Sequence, residues 1–283
     1  MAAPLEFWSP AKINLFLKIT GKRPDDYHEL VSLMCGISLR DRVVLRLKKD
    51  SISVTCSYPG VPEDGTNLAA RAAAKFYEHH PVSERVAIEI EKQIPVGAGL
   101  GGGSSNAATV LNGLNLYYDQ PLTPAELRVL GATIGADVPF FLFGRPALAS
   151  GIGDRLTAFE GLDQRKVLVI YPGFGIPTAE VYKKLNLGLT KCENHLKSLF
   201  LKQNGFIPAQ HLCNDLEAVV IKRYPEISAV KKSLMKYGAE GALMSGSGSS
   251  VFGLFAESKT ARTAAEALAP RYGGAVFLAD LLV

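Results

Sequence analysis

Five glycines, Gly97, Gly99, Gly101, Gly102 and Gly103, fall within seven positions, and the segments on either side of them restrict what such a run can be. Upstream, Val86, Ile88 and Ile90 alternate with Ala87, Glu89 and Glu91, the period of two of a strand with one polar face. Downstream, residues 106–118 carry the apolar spacing of a helix. The glycines therefore bridge a strand ending at Ile94 and a helix beginning near Ser104. Ordering glycine is costly, on the order of 0.5–1 kcal/mol each relative to alanine, because it gives up the most backbone freedom. An anion offsets that cost. A hydrogen bond from a backbone N–H to a charged acceptor contributes roughly 1.5–3 kcal/mol, and the dipole of the following helix adds about 0.3–1. The hydroxyls of Ser104 and Ser105 extend the set of donors. A flexible linker is the plain alternative, but linkers rarely join an alternating strand to an apolar helix.

Two known nucleotide loops can be compared with this one. The ATPase P-loop ends in Gly-Lys-Ser/Thr, whereas Gly103 is followed directly by Ser104, which excludes it. Gly97, Gly99 and Gly102 do satisfy the dinucleotide pattern G-x-G-x-x-G. Glu89 and Glu91 on the preceding strand argue against a buried parallel strand. No strand ending in an acid follows about twenty positions later, since Asp119 trails a helix. On the residues alone, a dinucleotide-dependent oxidoreductase and a non-catalytic nucleotide-binding module stay formally open.

Elsewhere, Ile13, Leu15, Leu17 and Ile19 alternate with Lys12, Asn14, Phe16 and Lys18, which predicts a strand over 12–19 with Lys12 and Asn14 on one face. Strands are expected at 43–47 and 51–56 and a helix at 67–79, and Thr123 with Glu126 has the spacing of a capping box. Beyond Asp163 the pattern predicts a strand at 166–171, helices at 179–185, 214–223 and 227–237, strands at 241–244 and 251–255, a helix at 258–268 and a strand at 275–278. This order predicts an α+β chain with two lobes, 1–160 and 161–283. A net charge of +4 with no long run of either sign gives no warrant for nucleic-acid or membrane binding. No apolar run is long enough to span a bilayer, and the cytoplasm is the expected location. Cys35, Cys56, Cys192 and Cys213 form no C-x-x-C pair, so reduced thiols are expected and neither a zinc site nor a disulfide framework.

Taken together, Pro95, Val96, Gly97, Ala98, Gly99, Leu100, Gly101, Gly102, Gly103, Ser104 and Ser105 resemble the phosphate loop of the galactokinase, homoserine kinase, mevalonate kinase and phosphomevalonate kinase superfamily. Ser-Pro-Ala-Lys-Ile-Asn-Leu at 9–15 and Leu-Met-Ser-Gly-Ser-Gly-Ser-Ser at 243–250 fit the same superfamily. Within it, the first of these followed by Arg-Pro-Asp-Asp-Tyr-His-Glu-Leu at 23–30 resembles the branch acting on cytidine diphosphate methylerythritol. The match runs over nearly the whole chain in order and spacing. Asp26 departs from it, since the branch usually has glycine before Tyr-His. The resemblance implies a ribosomal-S5-like ATP-binding lobe, a ferredoxin-like substrate lobe, an active site in the cleft, and ATP with Mg²⁺ as cofactor. A kinase of another small alcohol or isoprenoid precursor is the alternative within the superfamily. Oligomeric state is not legible in the sequence.

Asp137, a lone acid in Gly-Ala-Asp-Val-Pro-Phe-Phe at 135–141, is the candidate to accept a proton from the substrate hydroxyl, with a turn or helix-cap role as its plain alternative. Lys12 is expected to pair with it and to neutralise charge on the transferring phosphoryl group, with Asn14 reaching the same pocket. The resemblance places Tyr27, His28 and Tyr182 at the cytosine, with Thr178 beside the substrate. It places Asn67, Leu68, Lys92 and Asn106 at the nucleotide. Val181, Tyr182 and Leu185 equally read as the core-facing stripe of a helix. Magnesium is implied by ATP, but no cluster of acids identifies its ligands.

Overall fold

Two strands much longer than the alternation predicts organise the chain: β1 (Leu5–Lys22) and β2 (His28–Lys49), which pair with each other. Alternation marks only part of them because both faces are buried over long stretches. In β1, Ala11, Ile13, Leu15, Phe16 and Leu17 are all interior, so neighbours of opposite direction are apolar together. The computed structural model describes residues 3–25, 27–185, 192, 205–273 and 275–283, and Asp26 lies outside them.

The chain forms two compact units built from alternating segments. The first comprises Met1–Ala11, Arg40–Val96 and Gly101–Gly144; the second comprises Lys12–Leu39, Gly97–Leu100 and Arg145–Val283. β1, β2 and the glycine loop thus each contribute to both.

In the first unit, β3 (Ser53–Cys56) is followed by α1 (Leu68–His79), β4 (Arg85–Glu91), α2 (Gly102–Tyr117), α3 (Pro124–Ala132) and α4 (Val138–Phe143). β4 runs parallel to β3, with Ser53 opposite Ala87, and antiparallel to β2, with Val43 opposite Ile90. Its alternation is realised as predicted: Val86, Ile88 and Ile90 enter the core, while Glu89 and Glu91 face outward to Arg46 and Arg42, each at 2.5 Å. Asn67 caps α1, its side chain accepting from the Ala69 N–H. Thr123 and Glu126 close the expected capping box on α3. Val43, Leu45 and Ile88 pack with Phe76 of α1 and Val110 and Leu114 of α2.

The second unit contains β5 (Ala147–Gly151), β6 (Arg155–Ala158), β7 (Lys166–Ile170), α5 (Thr178–Lys183), α6 (Pro208–His211), β8 (Cys213–Asn214), α7 (Glu217–Arg223), α8 (Glu226–Lys236), β9 (Gly241–Met244), β10 (Val251–Phe255), α9 (Ser258–Leu268) and β11 (Val276–Leu282). β11, β7, β10 and β9 lie side by side, each antiparallel to the next. β5 pairs with β2 and β6, and the short β8 runs parallel to β1 with Cys213 opposite Phe16. Ile227, Val230 and Leu234 of α8 and Ala261 and Leu268 of α9 pack with Leu168, Val251 and Phe255 of the strands. The chain is α+β, as expected. Among the described residues no helix is long and apolar enough to cross a membrane.

The cysteines require a correction. Cys192 and Cys213 form a disulfide across a Cα separation of 5.7 Å. Their spacing of 21 residues resembles no motif; it is the pairing of β8 with β1 that fixes Cys213 beside Cys192, whose N–H donates to Asp215 at 3.3 Å. Cys35 and Cys56 are free thiols, and burial pushes the Cys35 thiol up to about 12. In denaturant without reductant, thiol titration is expected to count two groups, and four after reduction; four groups before reduction would show the bridge to be absent. In the native protein at pH 8, Cys35 is expected to resist alkylation, because its thiolate is scarce and its side chain is enclosed.

Candidate functional site

The part of the glycine loop that belongs to the second unit is held by its acceptors. The Gly97 carbonyl accepts from the Ile176 N–H at 3.4 Å, Ala98 from the Ser250 N–H at 3.1 Å, and Leu100 from the Lys12 N–H at 2.9 Å. The Gly99 carbonyl accepts from the Ser245 hydroxyl at 2.9 Å. Four successive carbonyls are thus occupied, and among the described residues no hydrogen bond is donated by the Gly97, Ala98 or Gly99 N–H. Those donors are what the loop offers to an anion. Gly99 has φ +76°, and a Cβ there would stand 2.2 Å from the Ser245 carbonyl oxygen. No other residue permits this approach of the two backbones.

The second Gly/Ser stretch, after β9, closes on itself: the Ser245 N–H donates to the Ser250 carbonyl at 2.9 Å and the Gly248 N–H to the Ser245 carbonyl at 2.9 Å. Asn214, buried at the end of β8, donates through Nδ2 to the Met244 carbonyl at 2.9 Å and the Gly246 carbonyl at 2.7 Å. Beside this turn lie Lys12 and Asn14, each 4% exposed. The Lys12 ammonium donates to Asn14 Oδ1 at 2.7 Å, Asn14 Nδ2 to the Ser32 hydroxyl at 2.8 Å, and Ser32 to the Phe16 carbonyl at 2.7 Å. A methyl group placed on Gly246 would be 3.2 Å from Asn14 Oδ1, 3.3 Å from the Gly99 oxygen and 3.5 Å from Lys12 Nζ. The Lys12 ammonium and the Gly99 oxygen therefore both border the Gly246 turn. The expected shared face of Lys12 and Asn14 is present, and it is an interior one.

His28 and Tyr182 meet with ring centroids 5.2 Å apart and planes tilted by 40°. Tyr182 also rests on the apolar core of the second unit, together with Val181 and Leu185, as the core-facing stripe predicts. The Thr178 hydroxyl shares a hydrogen bond of 2.8 Å with Ser247 Oγ, which ties the start of α5 to the second Gly/Ser turn. Tyr27 is exposed. Its N–H donates to Asp25 at 3.2 Å, within the turn between β1 and β2.

In the first unit, Asp137 lies in the turn that precedes α4 and makes no side-chain capping hydrogen bond. It is half-buried, two residues after Gly135, where a Cβ would be 3.6 Å from Ser104 Oγ at the start of α2. Asn67 is engaged as a cap and through Nδ2 with the Pro62 carbonyl at 2.7 Å, and Leu68 packs on the core. Lys92 and Asn106 are inward-facing and both bind Asp41, a fully buried carboxylate. Pro95 is half-buried, Val96 is exposed, and Gly101, Gly102, Gly103, Ser104 and Ser105 form the first turn of α2 and its approach.

Three residues of these networks were not singled out by sequence: Ser32, Asp41 and Asn214. Ser32 and Asn214 carry no distinguishing neighbours, and Asp41 sits between Arg40 and Arg42, as a solvated acid would. As for a metal, the one group of three His, Cys or acidic side chains among the described residues is Cys192, Cys213 and Asp215. The disulfide consumes both sulfurs, and this is no magnesium site.

The dinucleotide pattern now loses its support, because β4 lies between a parallel and an antiparallel neighbour and has one solvated face. The GHMP kinases N terminal domain matches residues 67–145, and the GHMP kinases C terminal domain matches 200–274. The 4-diphosphocytidyl-2-C-methyl-D-erythritol kinase of Syntrophotalea carbinolica is 44% identical over 97% of this chain and 98% of its own length. The kinase of the same description from Syntrophus aciditrophicus is 45% identical over 96% and 98%. A crystal structure of a 4-(cytidine 5'-diphospho)-2C-methyl-D-erythritol kinase superposes with a TM-score of 0.81 at 36% identity, covering 98% of this chain and 99% of the other. A homoserine kinase from Cytophaga hutchinsonii shares the fold at a TM-score of 0.71 and 17% identity. By its matched domains and its full-length relatives, the chain belongs to the GHMP kinases and, among them, to the 4-diphosphocytidyl-2-C-methyl-D-erythritol kinases.

Proposed function

We propose that this chain transfers the terminal phosphoryl group of ATP to a hydroxyl of 4-diphosphocytidyl-2-C-methyl-D-erythritol, giving the 2-phosphate and ADP in non-mevalonate isoprenoid precursor synthesis. The substrate follows from the relatives, and the chemistry from one observation: the buried Lys12 ammonium borders the Gly246 turn, which the Gly99 oxygen of the glycine loop also meets.

In most analyses the transferred phosphoryl group is only loosely bonded to either oxygen, so a protein helps mainly by placing the reactants and stabilising charge. The loop N–H groups hold the phosphates of ATP. Lys12 stabilises charge on the oxygens of the transferring group, and Asn14, anchored on Ser32, sets the direction of its ammonium. The substrate hydroxyl oxygen bonds to phosphorus as the bond to the ADP oxygen breaks. ADP leaves with that electron pair, and the hydroxyl proton passes to Asp137. Magnesium arriving with ATP would supply further neutralisation of phosphate charge.

On the substrate side, Tyr182 and His28 take the cytosine, Tyr27 covers it from the exposed turn, and Thr178 contacts the substrate next to Ser247. Asn67 acts through the backbone it holds at Ala69 and Pro62, and Lys92 and Asn106 act through the Asp41 carboxylate that they bind.

Mixing the protein with Mg-ATP and the cytidyl substrate is expected to release ADP, and no release above background would sink the reading. Lys12→Met and Asp137→Asn should each lower kcat by about a hundredfold or more while ATP still binds; unchanged rates would remove them from the mechanism. Gly99→Ala forces a Cβ against the Ser245 carbonyl and should weaken ATP binding by about tenfold or more in an equilibrium titration, whereas wild-type affinity would take the loop off the phosphates. Tyr182→Ala should raise KM for the cytidyl substrate by roughly five- to a hundredfold, with KM for ATP unchanged, if its ring stacks on the base.

A further inference from the structure

The most heavily hydrogen-bonded acid in the first unit takes no part in the chemistry above. Asp41 is fully buried at the middle of β2, and its two carboxylate oxygens serve both ends of the glycine loop. Oδ1 accepts from the backbone N–H groups of Gln93 at 2.8 Å and Ile94 at 2.9 Å, the residues that lead into the loop. Oδ2 accepts from the Lys92 ammonium, in a buried ion pair, and from Asn106 Nδ2 at 2.9 Å, in the first turns of α2 where the loop ends.

The network continues on the α2 side. Lys92 Nζ also donates to Asn106 Oδ1 at 3.2 Å, Asn106 Nδ2 to the Ser9 hydroxyl at 2.9 Å, and Ser9 to Ser105 Oγ at 2.8 Å. Gly102, the first residue of α2, packs so closely that a Cβ would lie 3.0 Å from both Lys92 Nζ and Ile94 Cγ2. A single carboxylate thus fixes the distance and angle between the strand that enters the loop and the helix whose N-terminus leaves it.

A buried ion pair is a poor source of net stability, since taking both charges out of water costs about as much as their attraction returns. What it supplies is geometry: four donors converge on two oxygens, and the backbone positions of residues 93, 94 and 106 follow. We propose that Asp41 is a positioning residue for ATP, holding the two ends of the phosphate loop in register so that its N–H groups point at one set of phosphates. This rests on the assignment of the loop to the phosphates of ATP, and the test separates the two.

Asp41→Asn keeps the shape but replaces one acceptor with an amide that repels the surrounding donors. KM for ATP, and the dissociation constant of a fluorescent ATP analogue, are expected to rise about tenfold, while KM for the cytidyl substrate stays within about twofold. Equal changes in both KM values, or none, would overturn the proposal. Val44→Ala, a core variant on the same strand, is the control for simple loosening. At a matched loss of Tm it should leave the ratio of the two KM values unchanged, and a matching rise in KM for ATP alone would reduce Asp41 to a structural role. If Asp41→Asn does not melt cooperatively, Ser9→Ala carries the test, since it removes a neutral hydroxyl from the same network; about a threefold rise in KM for ATP is expected, and wild-type values would overturn the proposal. Wild-type protein that fails to bind the analogue would instead bring down the assignment of the loop itself.

Discussion

Gly97, Ala98, Gly99 and Leu100 each direct a carbonyl oxygen at a donor of the second unit, and the loop's usefulness follows from that polarity. A peptide group has one donor and one acceptor, and buried ones are nearly always paired. When a run of acceptors is satisfied by Ile176, Ser250, Ser245 and Lys12, the planar peptide bonds between them turn their N–H groups the other way. The result is a concentration of fixed partial positive charge produced by the backbone alone, with no basic side chain inside the loop. This explains why the segment contains no lysine, the residue that an ATPase P-loop requires.

Charged side chains sit around this backbone frame in two different ways. Lys92 is matched by Asp41, so the pair is neutral and its effect on the loop is geometric. Lys12 rests on an amide oxygen, that of Asn14, which is itself oriented by Ser32. That hydrogen bond orients the ammonium, and the role given to Lys12 in the proposed transfer is to act on the charge of an incoming anion. Lys12 has Asn14 two positions on and Lys92 is flanked by Glu91 and Gln93, so the sequence does not reveal that one binds an amide and the other a buried carboxylate.

Those differences mark the limit of what could be read without coordinates. β4 and α9 were legible because solvent on one face imposes a period, and β9 and β10, buried almost throughout, were legible as short apolar runs. The long strands β1 and β2 were legible only in part, because burial on both faces erases the alternation. The loop and its neighbours Lys12 and Asn14 were legible because glycine density and a lysine on a strand are local signals. Asp41 was not: its partners lie more than fifty positions away, and Arg40 and Arg42 disguise it as a surface acid. The Cys192–Cys213 bridge was hidden for the same reason, being set by strand pairing and not by spacing. The interleaving of the two units likewise has no compositional mark, since β1 and β2 serve both.

Backbone packing at the two glycine turns also constrains how the site can vary. At Gly99 an added methyl would meet a carbonyl oxygen, which has no rotamer through which to withdraw; at Gly246 it would meet Asn14, the Gly99 oxygen and Lys12 together. The first obstruction is rigid and the second partly flexible, so the two positions do not have the same tolerance. A change at Gly246 presses on the Asn14 side chain at 3.2 Å and on the Gly99 carbonyl at 3.3 Å, while Lys12 Nζ, at 3.5 Å, stays at ordinary contact distance. A change at Gly99 separates the two backbones and removes the Ser245 bond that holds the loop carbonyl. Both changes therefore reach the Gly99 carbonyl, one from the neighbouring turn and the other at the loop itself. Main-chain contact at this density is what allows a loop of small residues, without metal cage or P-loop lysine, to hold a fixed shape.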